Sequence, residues 1–213
     1  MIKTGRALLG SLALLLMTTG VATSAESAAD RLADALSSYS TFQAGFTQVV
    51  ADEQGRVMQE STGNLKAKRP GLFYWETDPP ANQFIVSNGE TVELYDPDLE
   101  QVTVQDLDEQ VSTTPALLLS GETDSLAETY DISEEKYGDN TREYTLLPRN
   151  EDSLFVSLTL TFYDGELQAM RLEDSLSQRT ELEFGNVRIN EPVSDEAFEL
   201  DYPDTVDVIQ GTE

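Results

Sequence analysis

Covalent chemistry needs a nucleophile, a proton carrier or a metal ligand set, and this chain is poor in all three. Its 213 residues include no histidine and no cysteine. That removes histidine-based triads, thiol nucleophiles and the common zinc ligand sets. Carboxylates dominate instead, with 40 Asp and Glu against 13 Lys and Arg and a formal net charge of −27. At that density adjacent pairs arise by chance. Asp52-Glu53, Asp108-Glu109 and Glu134-Glu135 read as solvated turns, not acid–base pairs. No enzyme activity, catalytic residue, metal site or cofactor is expected. The charge also opposes nucleic acid, whose recognition needs a basic surface. It fits either solubility in high salt or steering toward a basic partner.

One cation stands apart. Residues 64 to 76 read Asn-Leu-Lys-Ala-Lys-Arg-Pro-Gly-Leu-Phe-Tyr-Trp-Glu. Strand side chains alternate between two faces. Sorted by parity, one face carries Leu65, Ala67, Arg69, Gly71, Phe73 and Trp75, the last being the sole tryptophan. A buried, unpaired charge is too costly to keep. Arg69 must therefore meet water, a carboxylate or a set of carbonyl oxygens.

The elements that would position it are mostly strands. Residues 1 to 25 come first and read as a cleaved secretory signal peptide: Lys3 and Arg6, an apolar run from Ala7 to Met17, then small residues up to Ala25. No cysteine follows, so the mature chain should carry no lipid of its own. Residues 26 to 213 then form one domain, expected to be a soluble monomer in an exported compartment. Ser27 to Tyr39 is an amphipathic helix, with Ala28, Leu32, Ala35, Leu36 and Tyr39 on one stripe and Ser27 with Asp30 capping it.

From Thr41 to Leu107 strand follows strand, with turns at Asp52 to Gly55, Asp78-Pro79-Pro80, Asn88-Gly89 and Asp96-Pro97-Asp98. Thr114-Pro115 then opens a short helix carrying Leu117, Leu118 and Leu119, closed by Gly121, and a second short helix spans Thr123 to Thr129. Strands resume at Tyr130. In Leu154 to Tyr163, Val156, Leu158, Leu160 and Phe162 share a face, and Asp164-Gly165 closes a hairpin. Phe198 to Leu200 could add an edge piece, and the tail after Tyr202 reads as poorly ordered. The sum is about ten strands without a βαβ rhythm, so a curved antiparallel sheet with helices over its concave side is predicted.

Three motifs in order resemble the periplasmic outer-membrane lipoprotein carriers of the LolA family. They are Lys68-Arg69-Pro70-x-Leu72-Phe73-x-Trp75, then Val86-Ser87-x-Gly89-x-Thr91 leading to Tyr95-x-Pro97, then Thr114-Pro115 with its leucine run. The resemblance spans about Ala28 to Val206. It implies a mainly β fold with some α: an incomplete, unclosed antiparallel β-barrel with a helical lid over an apolar cavity. It implies a periplasmic chaperone that holds the acyl chains of lipoproteins. Such a carrier takes them from an inner-membrane lipoprotein-releasing ABC transporter and gives them to an outer-membrane lipoprotein receptor.

By the same resemblance Arg69 is the lid latch, and Pro115, Leu117, Leu118 and Leu119 belong to the lid helix. Phe42, Phe46, Leu65, Phe73, Trp75, Phe84, Leu158, Leu160 and Phe162 are the candidates for cavity or mouth. The chain departs from the pattern at Val92-Glu93-Leu94, where an aromatic is usual, and at Asp98; both make that rim more acidic. The alternative is a carrier-like sensor that binds lipid or peptide and regulates an envelope stress response.

Overall fold

The computed structural model describes residues 26–107, 115–121, 123, 125–151 and 153–211. The signal-peptide segment, Thr114 and Asp108-Glu109 lie outside the described residues. Helix α1 (Ala28–Ser37) begins as the sequence predicts. The Ser27 hydroxyl accepts from the Asp30 N–H at 3.1 Å, and the Asp30 carboxylate accepts from the Ser27 N–H at 3.0 Å. Leu32, Leu36 and Tyr39 are buried along its inner stripe.

Twelve strands follow: β1 (Thr41–Ala51), β2 (Val57–Lys68), β3 (Leu72–Thr77), β4 (Gln83–Asn88), β5 (Thr91–Asp96), β6 (Gln101–Asp106), β7 (Tyr130–Tyr137), β8 (Thr141–Pro148), β9 (Phe155–Tyr163), β10 (Glu166–Asp174), β11 (Arg179–Ile189) and β12 (Asp207–Gln210). They form one sheet in the order β12-β6-β5-β4-β3-β2-β1-β11-β10-β9-β8-β7. All pairs are antiparallel except β12 with β6. β12 and β7 are the free edges, so the barrel does not close. A sheet this large curls around what it covers. Its concave side holds one apolar cluster, to which α1 and the β6–β7 connection contribute.

Several expectations change. The tail after Tyr202 is a strand: β12 lies along the β6 edge that the open barrel leaves unpaired. Its four residues carry no alternation for a sequence reading to find. Phe198 sits in a 3-10 helix (Asp195–Phe198), not in an edge strand, and its ring is buried. In β9 the pairing with β10 slips between Glu173 and Asp174. The slip turns Phe155 inward and leaves Val156 48 % exposed, so Val156 does not share the face of Leu158. The leucine run folds as a 3-10 helix (Pro115–Leu119), not an α-helix, and is followed by the single turn of α2 (Leu126–Thr129).

Candidate functional site

Arg69, Pro70 and Gly71 form the tip of the β2–β3 hairpin, so Arg69 stands in a turn and not on a strand face. The parity reading still finds the right neighbours. The hairpin pairs Leu65 with Trp75, Ala67 with Phe73 and Lys68 with Leu72. Odd numbers face odd numbers across the three-residue tip, so one face runs through the turn. Gly71 has φ +76°, and a Cβ there would press on the Gly89 backbone of the neighbouring hairpin.

The tip grips two segments at once. The Arg69 guanidinium donates from Nε to the Tyr39 carbonyl at 3.1 Å, from Nη2 to the Leu118 carbonyl at 3.3 Å, and from Nη1 to the Gly121 carbonyl. Its backbone N–H donates to Ser40 at 3.0 Å, and that of Gly71 to the Ser120 carbonyl at 2.7 Å. Of the partners left open by the sequence, Arg69 meets carbonyls. Those of Leu118 and Gly121 are orphan groups at the end of a short helix, where no intrahelical donor remains. Burial lowers the Arg69 pKa, but a guanidinium stays charged in any protein setting.

The gripped segment lies over the concave side. Leu117, Leu118, Leu119 and Ser120 are all buried. Ala116 joins the wall of a cavity of about 500 Å³, within the usual size range of ligand pockets. Of the predicted lining residues, Trp75 and Leu158 reach this cavity. Phe42, Phe46, Leu65, Phe73, Leu160 and Phe162 are buried in the surrounding cluster. Phe46 stacks on Trp75 at 3.7 Å between ring centroids. Gly63 leaves room for that ring, since a Cβ there would overlap it and the Glu76 carbonyl.

Phe84 is a correction. It lies on the outer face, between Tyr74 and Tyr95, because β4 turns Ile85 inward opposite Trp75. The cavity wall also includes Ile85, Met170, Leu172 and Leu182, and polar groups from Gln48, Gln59, Ser61, Thr77, Asn82, Gln83, Asp96, Asp98 and Thr180. Parity along β1, from Phe42 through Phe46 to Gln48, could have found Gln48. Leu182 and Met170 could not be found that way, because they depend on β1 pairing with β11 across the whole chain.

A second correction concerns Glu134. It lies in β7, its side chain is 5 % exposed, and it is no solvated turn. Arg31 of α1 donates to it from Nε at 2.8 Å, with Nη2 at 2.5 Å. Arg142 lies 3.1 Å away and Lys136 3.9 Å. Burial pushes its carboxyl up; hydrogen bonding and charge from Arg31, with Lys136 and Arg142, more than offset that, and the net pKa falls below the usual value. The ion cluster fastens α1 to β7. Among the described residues no acidic or histidine group is arranged to hold a metal ion, and no helix is long and apolar enough to cross a membrane.

The comparisons with known proteins agree with this architecture. Residues 37–201 match the model of the family described as "Outer membrane lipoprotein carrier protein LolA". An outer-membrane lipoprotein carrier protein from Hahella chejuensis is 47 % identical over 182 residues, covering 85 % of this chain and 87 % of that protein. One from Pseudomonas paraeruginosa is 45 % identical over 199 residues, covering 93 % and 95 %. Among solved structures, a LolA superfamily protein from Nitrosomonas europaea superposes with a TM-score of 0.50 at 14 % identity, over 82 % of this chain and 99 % of that one. An uncharacterised conserved protein from Thermus thermophilus reaches 0.54 at 14 % identity, over 87 % and 100 %. These two likenesses speak to the fold alone. With the family model spanning most of the chain and relatives this similar along nearly their whole length, the chain belongs to the LolA family of outer-membrane lipoprotein carriers.

Proposed function

We propose that this protein carries lipoproteins through the periplasm by holding their acyl chains in the cavity bounded by Trp75, Ile85 and Leu158. The observation that carries the reading is the pairing of that cavity with a covering segment whose side-chain hold from the hairpin tip is Arg69, beside one backbone bond from Gly71. Residues 1–25 serve as the cleaved signal peptide and 26–213 as one carrier domain. Cargo comes from a lipoprotein-releasing ABC transporter of the inner membrane and goes to a lipoprotein receptor of the outer membrane.

The physical task has two halves. Each acyl methylene withdrawn from water is worth about 0.8 kcal/mol, so shielding is strongly favourable. The same gain would trap the cargo unless something competes with it. Arg69 supplies the competition. Its bonds to Leu118 and Gly121 hold the 115–121 segment shut, incoming acyl chains displace that segment, and re-forming the bonds helps expel the cargo. Leu117 and Leu119 form the underside of this lid.

The test is to purify the chain from cells that make lipoproteins and examine it by native mass spectrometry. A bound acylated polypeptide is the expected result. Absence of any acylated polypeptide, together with no uptake of an uncharged acyl probe, overturns the reading.

A further inference from the structure

The cavity has two zones. Its floor is apolar, around Trp75 and Ile85. Toward the opposite end of the same strands the inward positions turn polar. β1 changes from Phe46 to Gln48, β3 from Trp75 to Thr77, β4 from Ile85 to Gln83 and β5 from Leu94 to Asp96. Pairing sets these positions side by side, Thr77 opposite Gln83 and Gln48 opposite Ser61. The change therefore forms a polar collar on the β1–β5 side of the mouth, while Leu182 of β11 and Met170 and Leu172 of β10 keep the opposite side apolar.

Two features of the collar define what fits it. Among the described residues, the side-chain amides of Gln48, Gln59, Asn82 and Gln83 hold no hydrogen bond to the protein, so their donors and acceptors are available to a ligand. Among the described residues the wall also contains no Lys or Arg, while Asp96 and Asp98 belong to it. Asp96 is fixed in place by the N–H groups of Asp98 and Leu99 at 3.0 and 3.1 Å.

From this we infer that the collar selects an acyl group joined to an uncharged, hydrogen-bonding head, an ester or amide junction, and rejects acyl anions. The inference deepens the carrier reading and rests on it. A ligand seated tail-first on the floor leaves its head among the collar amides. An ester or peptide amide exchanges water for those amides at little cost. A fatty acid carboxylate or a lipid phosphate finds no cation there and two carboxylates nearby. Cargo whose acyl chains are attached to a polypeptide is thereby distinguished from the free anionic lipid of the membranes around it.

Trp75 is the only tryptophan and lines the floor, so its fluorescence reports occupancy. Three ligands of equal acyl length serve as probes: an acylated dipeptide amide, a monoacylglycerol, and the fatty acid above neutral pH, where it is ionised. Both neutral ligands should bind about tenfold or more tightly than the anion, the scale set by two like charges across a half-wet mouth. In the double variant Asp96→Asn and Asp98→Asn the gap should narrow severalfold, with an unchanged far-UV spectrum as the folding control. Gln48→Leu with Gln83→Leu should weaken the neutral ligands and spare the anion. Tighter binding of the dipeptide than of the glyceride assigns the head to peptide amides, and tighter binding of the glyceride assigns it to the ester. An anion bound as tightly as the neutral ligands, or a gap unmoved by the aspartate substitutions, overturns the inference and leaves the carrier reading standing. Binding of none of the three overturns the carrier reading itself.

Discussion

Replacing Arg69 with leucine should separate loading from release. The guanidinium makes three bonds to carbonyls, those of Tyr39, Leu118 and Gly121. A hydrogen bond with one charged partner is worth about 1.5–3 kcal/mol, so the two that reach the covering segment, to Leu118 and Gly121, give about 3–6 kcal/mol before costs. Desolvation of the half-buried guanidinium, which also lowers its pKa, takes back part of this. A net of about 3 kcal/mol favours the clamped state, roughly 150-fold in population. That equals the burial of about four methylenes, less than one long acyl chain supplies, so cargo can open the clamp and the clamp can still aid release. In Arg69→Leu this opposing force is absent. Loading should persist, and transfer to an acceptor should slow by roughly 150-fold if release follows the clamp equilibrium.

Folding should survive, because the arginine side chain lies at a hairpin tip and the backbone bonds from Arg69 to Ser40 and from Gly71 to Ser120 do not depend on it. The assay loads both proteins with an acylated polypeptide, adds liposomes bearing the receptor, and follows transfer with time. Transfer by the variant at the rate of the parent, or a variant that fails to load, would refute the reasoning.

Gly63→Ala should lower stability by about 1–3 kcal/mol, because the new methyl meets the Phe46 ring and the Glu76 carbonyl. A thermal scan checks this, and an unchanged Tm would show that the Phe46–Trp75 stack has slack. The Glu134 cluster sets an acid limit. The folded pKa of Glu134 is depressed, so its stabilisation is present above the ordinary carboxylate value of 4.5 and is lost as pH falls below it through the folded value. Urea unfolding of Glu134→Gln should therefore respond less steeply than the parent to pH in that acid range, and identical slopes would remove the cluster from the account.

Local pattern was enough for much of this protein. The Ser27–Asp30 cap is written in four residues, and the hairpin turns are marked by Asn, Asp, Gly and Pro, because such features involve only near neighbours. Parity puts Leu65, Phe73 and Trp75 on one face, and that face is the buried one, since the strand period holds wherever register does not slip. Parity failed at Val156, where a slip in register reversed it, and could not say that Phe84 faces outward, because nothing local in β4 separates its two apolar faces. The leucine run by itself reads as core or lid, its 3-10 geometry is not legible in the sequence, and neither is the position of β12.

By itself, then, the sequence determined that histidine and thiol chemistry is absent, that the wall is made of alternating strands, and that Arg69 needs a polar partner. Only the tertiary structure decided which partner. The carbonyls of Leu118 and Gly121 lie about fifty residues along the chain from Arg69, at a separation no periodicity can carry. The same holds for the cavity, whose Trp75–Ile85 wall and Leu158–Met170–Leu182 wall meet only when β1 pairs with β11 and the sheet curls.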